Sequence, residues 1–333
     1  MRRSFDSFQI LLPTLMLSLA ACASDAPTAS RAPLSAVDAA PVPLQHWMPM
    51  PGAAGAFDFA VTADGRLLAA AETEGLLTLA PNGPRWQPLA GWPAGTSAVS
   101  VSVAPDGAIY VGTDTGVVRS HDGGAHWVPA GLTQWMITQL EVDPHGSVYA
   151  GATGNEGGLF RSDDGGLRWT LKYGPLGRRD GIVKYVSVRK GDIVFGSYAQ
   201  TPMYSRDAGD SWEPLWSLWE LPEWAGHAEH VIETSEGSLL VAWFMGIARS
   251  EDGGLSFRQV HDGFASRLVH DAATGTTYAL TGDRAVLRST DDGRTWQPYA
   301  APVQSDLPET IALAPDGRLL LGVWDGVWQT AGR

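Results

Sequence analysis

The chain has 333 residues, 44% hydrophobic and 18% charged, with 39 Gly and 22 Pro, a globular composition rich in turn formers. A formal net charge of −13 excludes a nucleic-acid footprint and a basic surface for anionic bilayers. With a single cysteine, no intrachain disulfide can staple the fold.

Residues 1–21 have the layout of an export signal. Arg2 and Arg3 supply the charged start, and the mainly apolar residues 10–21 are too short to span a bilayer as a stable helix. The run ends Leu19-Ala20-Ala21-Cys22, which resembles a bacterial lipobox. That resemblance implies cleavage after Ala21 and a lipid on Cys22, the membrane being reached only through that lipid. Ala23 and Ser24 in the following positions imply the outer membrane, on its periplasmic or cell-surface side. Residues 22–43 are mostly Ala, Pro and Ser; they cannot bury a core and are expected to form a flexible tether.

From residue 44 onward the chain repeats. Each unit opens with an alternating strand such as Val99-Ser100-Val101-Ser102-Val103, followed by a turn such as Pro105-Asp106-Gly107 and two further strands. A pattern Ser-x-Asp-x-Gly-x-x-aromatic then leads into a fourth strand. It occurs at Ser120, Asp122, Gly124 and Trp127; at Ser162, Asp164, Gly166 and Trp169; at Ser205, Asp207, Gly209 and Trp212; at Ser250, Asp252, Gly254 and Phe257; and at Ser289, Asp291, Gly293 and Trp296. The aromatics advance by 42, 43, 45 and 39 residues, a spacing that signals a repeat architecture. Asp and Gly are turn residues, and the Ser hydroxyl can bond within the same turn. Chemistry of this kind accounts for these residues as structural.

The pattern resembles the Asp-box, or bacterial neuraminidase repeat, which implies a β-propeller with the box between the third and fourth strands of each blade. Seven first-hairpin turns, from Ala63-Asp64-Gly65 to Pro315-Asp316-Gly317, predict seven blades of four antiparallel strands over residues 44–333. The last repeat ends at Arg333 without a fourth strand. Gln45-His46-Trp47-Met48-Pro49 resembles Ala125-His126-Trp127-Val128-Pro129, so residues 45–49 are expected to pair with 327–330 and close the last blade.

In this layout the first turns and boxes share one face. The connections between blades and the second-to-third-strand loops share the other, where loop lengths vary and binding is expected. Candidate binding residues on that variable face are Trp135, Arg178, Arg179, Trp219, Trp224, Trp243, Trp324 and Asp325. The long connection from Trp216 to His230 is expected to fold over the face, with Trp219 or Trp224 as anchor. Trp92, Trp135 and Tyr173 also suit wedges between blades. Arg119, Arg161, Arg249 and Arg288, each directly before a box Ser, are expected to point outward and pair with box acids.

The same loops carry carboxylates, and two acids across a cleft would suffice for glycoside hydrolysis. Sialidases with Asp-boxes carry an Arg-Ile-Pro motif near the first blade; here Ala56-Phe57-Asp58-Phe59-Ala60-Val61 has no arginine. Xyloglucan-cleaving enzymes of this kind use two propellers around one cleft, and this chain offers one. The size and repeat count also resemble an Asp-box assembly factor of photosystem II, which binds protein through an arginine-rich face. Residue spacings suggest no metal, cofactor, phosphate loop or nucleophile elbow. The resulting reading is a monomeric, non-catalytic propeller whose variable face binds protein or carbohydrate. The alternative is a glycan-active protein.

Overall fold

Short alternating or apolar runs separated by Gly-containing turns make the chain all-β. The computed structural model describes residues 44–53, 55–81, 83–153, 156–176, 183–189, 192–197, 203–214, 228–304 and 308–331, all within one compact unit, Val42–Arg333. Cys22, Arg178, Arg179, Trp219 and Trp224, with most of the 216–230 connection, lie outside the described residues.

Consecutive strands form six four-stranded antiparallel sheets. Their inner strands are Ala56–Val61, Ser100–Val103, Ile137–Val142, Val183–Arg189, Ala228–Glu233 and Ala265–Asp271. A further four-stranded sheet is composite. It joins Pro308–Leu313, Leu319–Val323 and Gly326–Gln329 to Met48–Met50 from the other end of the sequence. The inner strands touch in ring order, and Pro308–Leu313 contacts both Ala265–Asp271 and Ala56–Val61. Sheets arranged radially about a common axis are a β-propeller. The seven expected blades thus resolve into six blades of consecutive strands and one composite sheet.

The closing register also differs from expectation. Met48, Pro49 and Met50 pair with Gln329, Trp328 and Val327, so the paired segment is 48–50 rather than 45–49. Gln45 instead bridges Ala300 of the preceding blade, its N–H donating to Tyr299 O at 2.8 Å. Trp47 donates its indole N–H to Ala301 O at 2.8 Å and packs on the core between the two sheets. A bulky ring one residue before the outer strand finds its volume in the gap between sheets, which displaces the first paired residue to Met48. The box tryptophans occupy the same place in their own blades; Trp127, for example, meets Trp92 edge-on at 4.9 Å.

Burial explains the strand sequences. Second strands such as Leu67–Ala71, Ile109–Thr113 and Leu239–Trp243 are buried at every residue, because strands flank both edges and neighbouring sheets cover both faces. Three outer strands are blunt: Gln87–Pro88, Val128–Pro129 and Glu213–Pro214 have two residues each, and proline has no N–H to offer a foreign strand.

The five Ser-x-Asp-x-Gly turns share one hydrogen-bond pattern. In the first, Ser120 Oγ donates to Asp122 Oδ1 (2.8 Å) and accepts from Gly124 N (2.9 Å), while Asp122 Oδ1 accepts from His126 N (2.9 Å). The same bonds recur about Ser162, Ser205, Ser250 and Ser289. A further hydroxyl, from Ser211 or Ser256, donates to the other carboxylate oxygen, and with these bonds it holds Asp207 and Asp252 down near a pKa of about 2. Two consecutive positions in each turn are left-handed: Gly123, Gly165, Ala208, Gly253 and Asp292 have φ between 58° and 73°, and the box glycine that follows each has φ between 77° and 96°.

The neighbouring arginines are not simply outward-facing partners of box acids. Arg119 donates to Gly165 O, Arg161 to Ala208 O, Arg206 to Gly253 O and Arg249 to Asp292 O. Each acceptor is the first left-handed residue of the next turn, so arginine ties one blade to its successor. Arg161 also pairs with Asp163, and Arg288 stacks over Tyr299 at 5.5 Å.

Candidate functional site

Six of the inner strands are bulged at their second residue. The register skips Phe57, Thr138, Lys184, Glu229, Ser266 and Glu309. A bulge twists the strand and re-aims the side chain that follows. Those six followers, with Ser100 of the unbulged second blade, form one ring position: Asp58, Ser100, Gln139, Tyr185, His230, Arg267 and Thr310, paired opposite Ala70, Gly112, Gly151, Gly196, Ala242, Leu280 and Gly322. Inner strands begin on the variable-loop side, so the ring lies at that mouth of the propeller.

In three places the ring side chain accepts an N–H from the next blade. Asp58 Oδ2 accepts from Val101 N (2.9 Å) and from Ser100 Oγ (2.8 Å). Ser100 Oγ accepts from Leu140 N (2.9 Å), and His230 Nδ1 from Leu268 N (3.3 Å). The last bond assigns the neutral His230 proton to Nε2. Burial, with the Arg267 charge second, lowers the His230 pKa to about 3. Burial raises Asp58 to about 6, against the pull of its hydrogen bonds and of Arg267. Burial also raises Glu309, with the Arg267 charge opposing it.

Asp58 therefore has a definite pH signature. Its folded pKa lies above the ordinary carboxylate value of 3.8. The native state keeps a proton that the unfolded chain has lost, so this residue's contribution to stability rises as pH falls from above 6 toward 4. The difference amounts to about 2–3 kcal/mol. Asp58→Asn can keep the Val101 and Ser100 bonds through its carbonyl, losing only the Phe59 N–H bond. It should flatten this arm of the stability profile, whereas Asp58→Ala strands three donors and costs about 1–3 kcal/mol at every pH. Urea unfolding between pH 4 and pH 8 tests this; an unchanged pH slope in Asp58→Asn would contradict it.

The structure separates the predicted binding residues. Trp324 is 56% exposed and meets Phe57, the bulge residue of the first blade, edge-on at 5.6 Å. Asp325 beside it is exposed. Phe244, Met245, Phe264 and Met136 add exposed apolar surface on the same variable side. Trp243 corrects the expectation: it is 2% exposed and sits in the core between the fourth and fifth blades. Its strand position places it opposite Ala228, where the incoming sheet covers it. Trp135 is half-buried against Phe160 at 5.0 Å and acts as a wedge, as do Trp92 and Tyr173.

The ring position was missed by sequence reasoning, although a signal exists. Asp58, Ser100, Gln139, His230 and Thr310 each stand seven residues before a first-turn glycine: Gly65, Gly107, Gly146, Gly237 and Gly317. Polar residues in the middle of otherwise apolar strands mark a common constraint.

Residues 49–178 match the DUF6242 beta propeller domain family, less than half of the chain. No curated protein sequence matches. Among solved structures, "YCF48 bound to D1 peptide" superposes with a TM-score of 0.67 at 17% identity, covering 90% of this chain and 99% of that one. A streptogramin B lyase gives 0.69 at 14% identity, covering 86% and 97%. The GH74 xyloglucanase from Xanthomonas campestris gives 0.65 at 19% identity, covering 85% and 53%, so this chain spans about half of that enzyme. The fold is that of a β-propeller. Identities this low establish the fold alone.

Proposed function

We propose that the protein is an exported, lipid-anchored Asp-box propeller that binds a polypeptide segment on its variable face without carrying out chemistry. The observation that carries the reading is Trp324, a large ring left 56% exposed beside Phe57 at the mouth of the inner-strand ring. Aromatic anchors of this kind dominate binding energy because they shed much apolar surface with few rotamers. The carboxylate most enclosed at the ring, Asp58, is spent on Val101 and Ser100, which leaves it poorly suited to act as a hydrolytic acid. Similarity in fold to a propeller bound to a peptide, over nearly all of both chains, supports the same reading. The glycan-active alternative draws support from the GH74 likeness, over half of the enzyme's length.

Panning a displayed library of random linear peptides, in parallel with a glycan array, decides between the two. Selected peptides should lose roughly 10- to 100-fold in affinity on Trp324→Ala, with the melting temperature unchanged because the ring is exposed. The protein panned should be recovered from the membrane fraction in the wild type and from the soluble fraction in Cys22→Ser. Enrichment of glycans with no peptide selected would refute the polypeptide reading.

A further inference from the structure

Arg267 occupies a ring position whose shown occupants, Asp58, Ser100 and His230, accept an N–H from the next blade. Arginine has no acceptor to give, so the corresponding Ile311 N–H receives nothing from it. The frame forgoes an inter-blade bond at this point, as it does at Tyr185, whose buried hydroxyl has no partner, and departures from a local rule concentrate where function demands them.

Only one of the Arg267 nitrogens is engaged. Nη1 donates to two neutral carbonyls, Glu229 O at 3.4 Å and Ser266 O at 3.2 Å. Nε and Nη2 have no partner among the described residues, and no described carboxylate lies within ion-pair distance. A half-buried guanidinium is ordinarily matched by a carboxylate in bidentate contact. The two preceding ring positions also present donors: His230 through Nε2, and Tyr185, whose buried hydroxyl has no partner.

We propose that Arg267 is the receptor for a carboxylate on the ligand, seated at the ring mouth with its apolar portion against Trp324 and Phe57. This rests on the reading of the variable face as the binding face. The surrounding charges select the anion. Asp58 on the first blade, Glu229 on the fifth and Glu309 on the composite sheet face the same region, and Arg267 acts electrostatically on Asp58, Glu309 and His230. Those acids disfavour a doubly charged phosphate. A single carboxylate matched to the guanidinium fork is tolerated, the more so because Asp58 and Glu309 are shifted toward their neutral forms.

A carboxylate can come from a chain end or from an Asp or Glu side chain, and three dipeptides separate the sources: Ac-Gly-Phe-OH, Ac-Asp-Phe-NH2 and the neutral Ac-Gly-Phe-NH2. The readouts are the Arg267 Nε–H resonance, assigned by its loss in Arg267→Gln, and the Trp324 indole N–H resonance. Arg267→Lys serves for assignment if the Gln variant does not fold. At least one acid should shift Arg267 with a millimolar Kd, the neutral dipeptide being roughly tenfold weaker or worse, and inorganic phosphate should not compete. The acid that binds more tightly identifies the source. Equal effects of acid and neutral dipeptides, or no Arg267 shift with any of them, would overturn the proposal. A Trp324 shift without an Arg267 shift would remove this inference and leave the binding face standing. No shift at either residue would remove both.

Discussion

Arg249→Met should lower the free energy of unfolding by about 3–5 kcal/mol, the largest effect expected of any single substitution in the protein. The Arg249 side chain is 0% exposed and that of Asp292 3%. The guanidinium donates from Nε to Asp292 O at 2.6 Å and from Nη2 to Ser238 Oγ at 2.8 Å, and it pairs with the Asp292 carboxylate and with Glu251. Asp292 also accepts from Thr234 and, at 2.6 Å, from Ser238. Burial opposes ionisation of Asp292, yet these donors hold its carboxyl below the usual range. Truncating the arginine leaves that charge buried with two hydroxyl partners and only the long, solvent-exposed contact to Arg294 at 3.7 Å.

The same geometry predicts the rescue. Asp292 stands at a left-handed position (φ 61°) where three of the equivalent turns carry Gly123, Gly165 or Gly253, so Asp292→Gly relieves backbone strain while it removes the buried charge. The double variant should regain most of the loss, leaving it within about 1–2 kcal/mol of the wild type. Urea unfolding of the four corners of this cycle gives the coupling directly. Strictly additive penalties would show that the pair is not the energetic unit described here.

Removing residues 44–50 should produce the second large effect, a fall in melting temperature with a rise in aggregation. Met48–Met50 covers the edge of Gly326–Gln329, and its loss bares backbone donors and acceptors to a foreign strand. Trp47 goes with it, a burial worth about 3–5 kcal/mol on deletion of the side chain, together with its bond to Ala301. Trp47→Ala alone separates the two contributions: it should melt lower but remain monomeric, since the edge stays paired. Trp324→Ala is the control, an exposed tryptophan whose loss costs little stability. A truncated protein that melts with the wild type would mean that the N-terminal segment does not close the propeller.

Much of the frame was legible residue by residue. Ser120, Asp122 and Gly124 and their four repeats announced self-ordering turns because each bond in the turn is local, spanning at most four residues. The likeness of Gln45–Pro49 to Ala125–Pro129 pointed to a strand borrowed from the N-terminus, but its register was off because Trp47 obeys the space between two sheets rather than a pairing rule. The arginines before the box serines were read in part: Arg161 and Arg249 do pair with turn acids, but their ties to the next blade were not foreseen, for a similar reason. Their acceptors lie more than forty residues away, on the next blade.

At the site the division is sharper. Sequence by itself determined the repeat, the turn chemistry, the all-β class and the side of the propeller on which loops vary, since all of these follow from local patterns of period two and from Gly, Pro, Asp and Ser in fixed places. It ranked Trp243 and Trp324 alike, because both follow an apolar second strand. Only the tertiary structure decided that an incoming sheet buries Trp243 while Trp324 stays 56% exposed beside Phe57. It alone brought Asp58, Ser100, His230 and Arg267 to one ring, through bulges that re-aim side chains and through closure of the inner strands on one another. Burial and closure are properties of contacts between distant segments, and no window of sequence contains both partners.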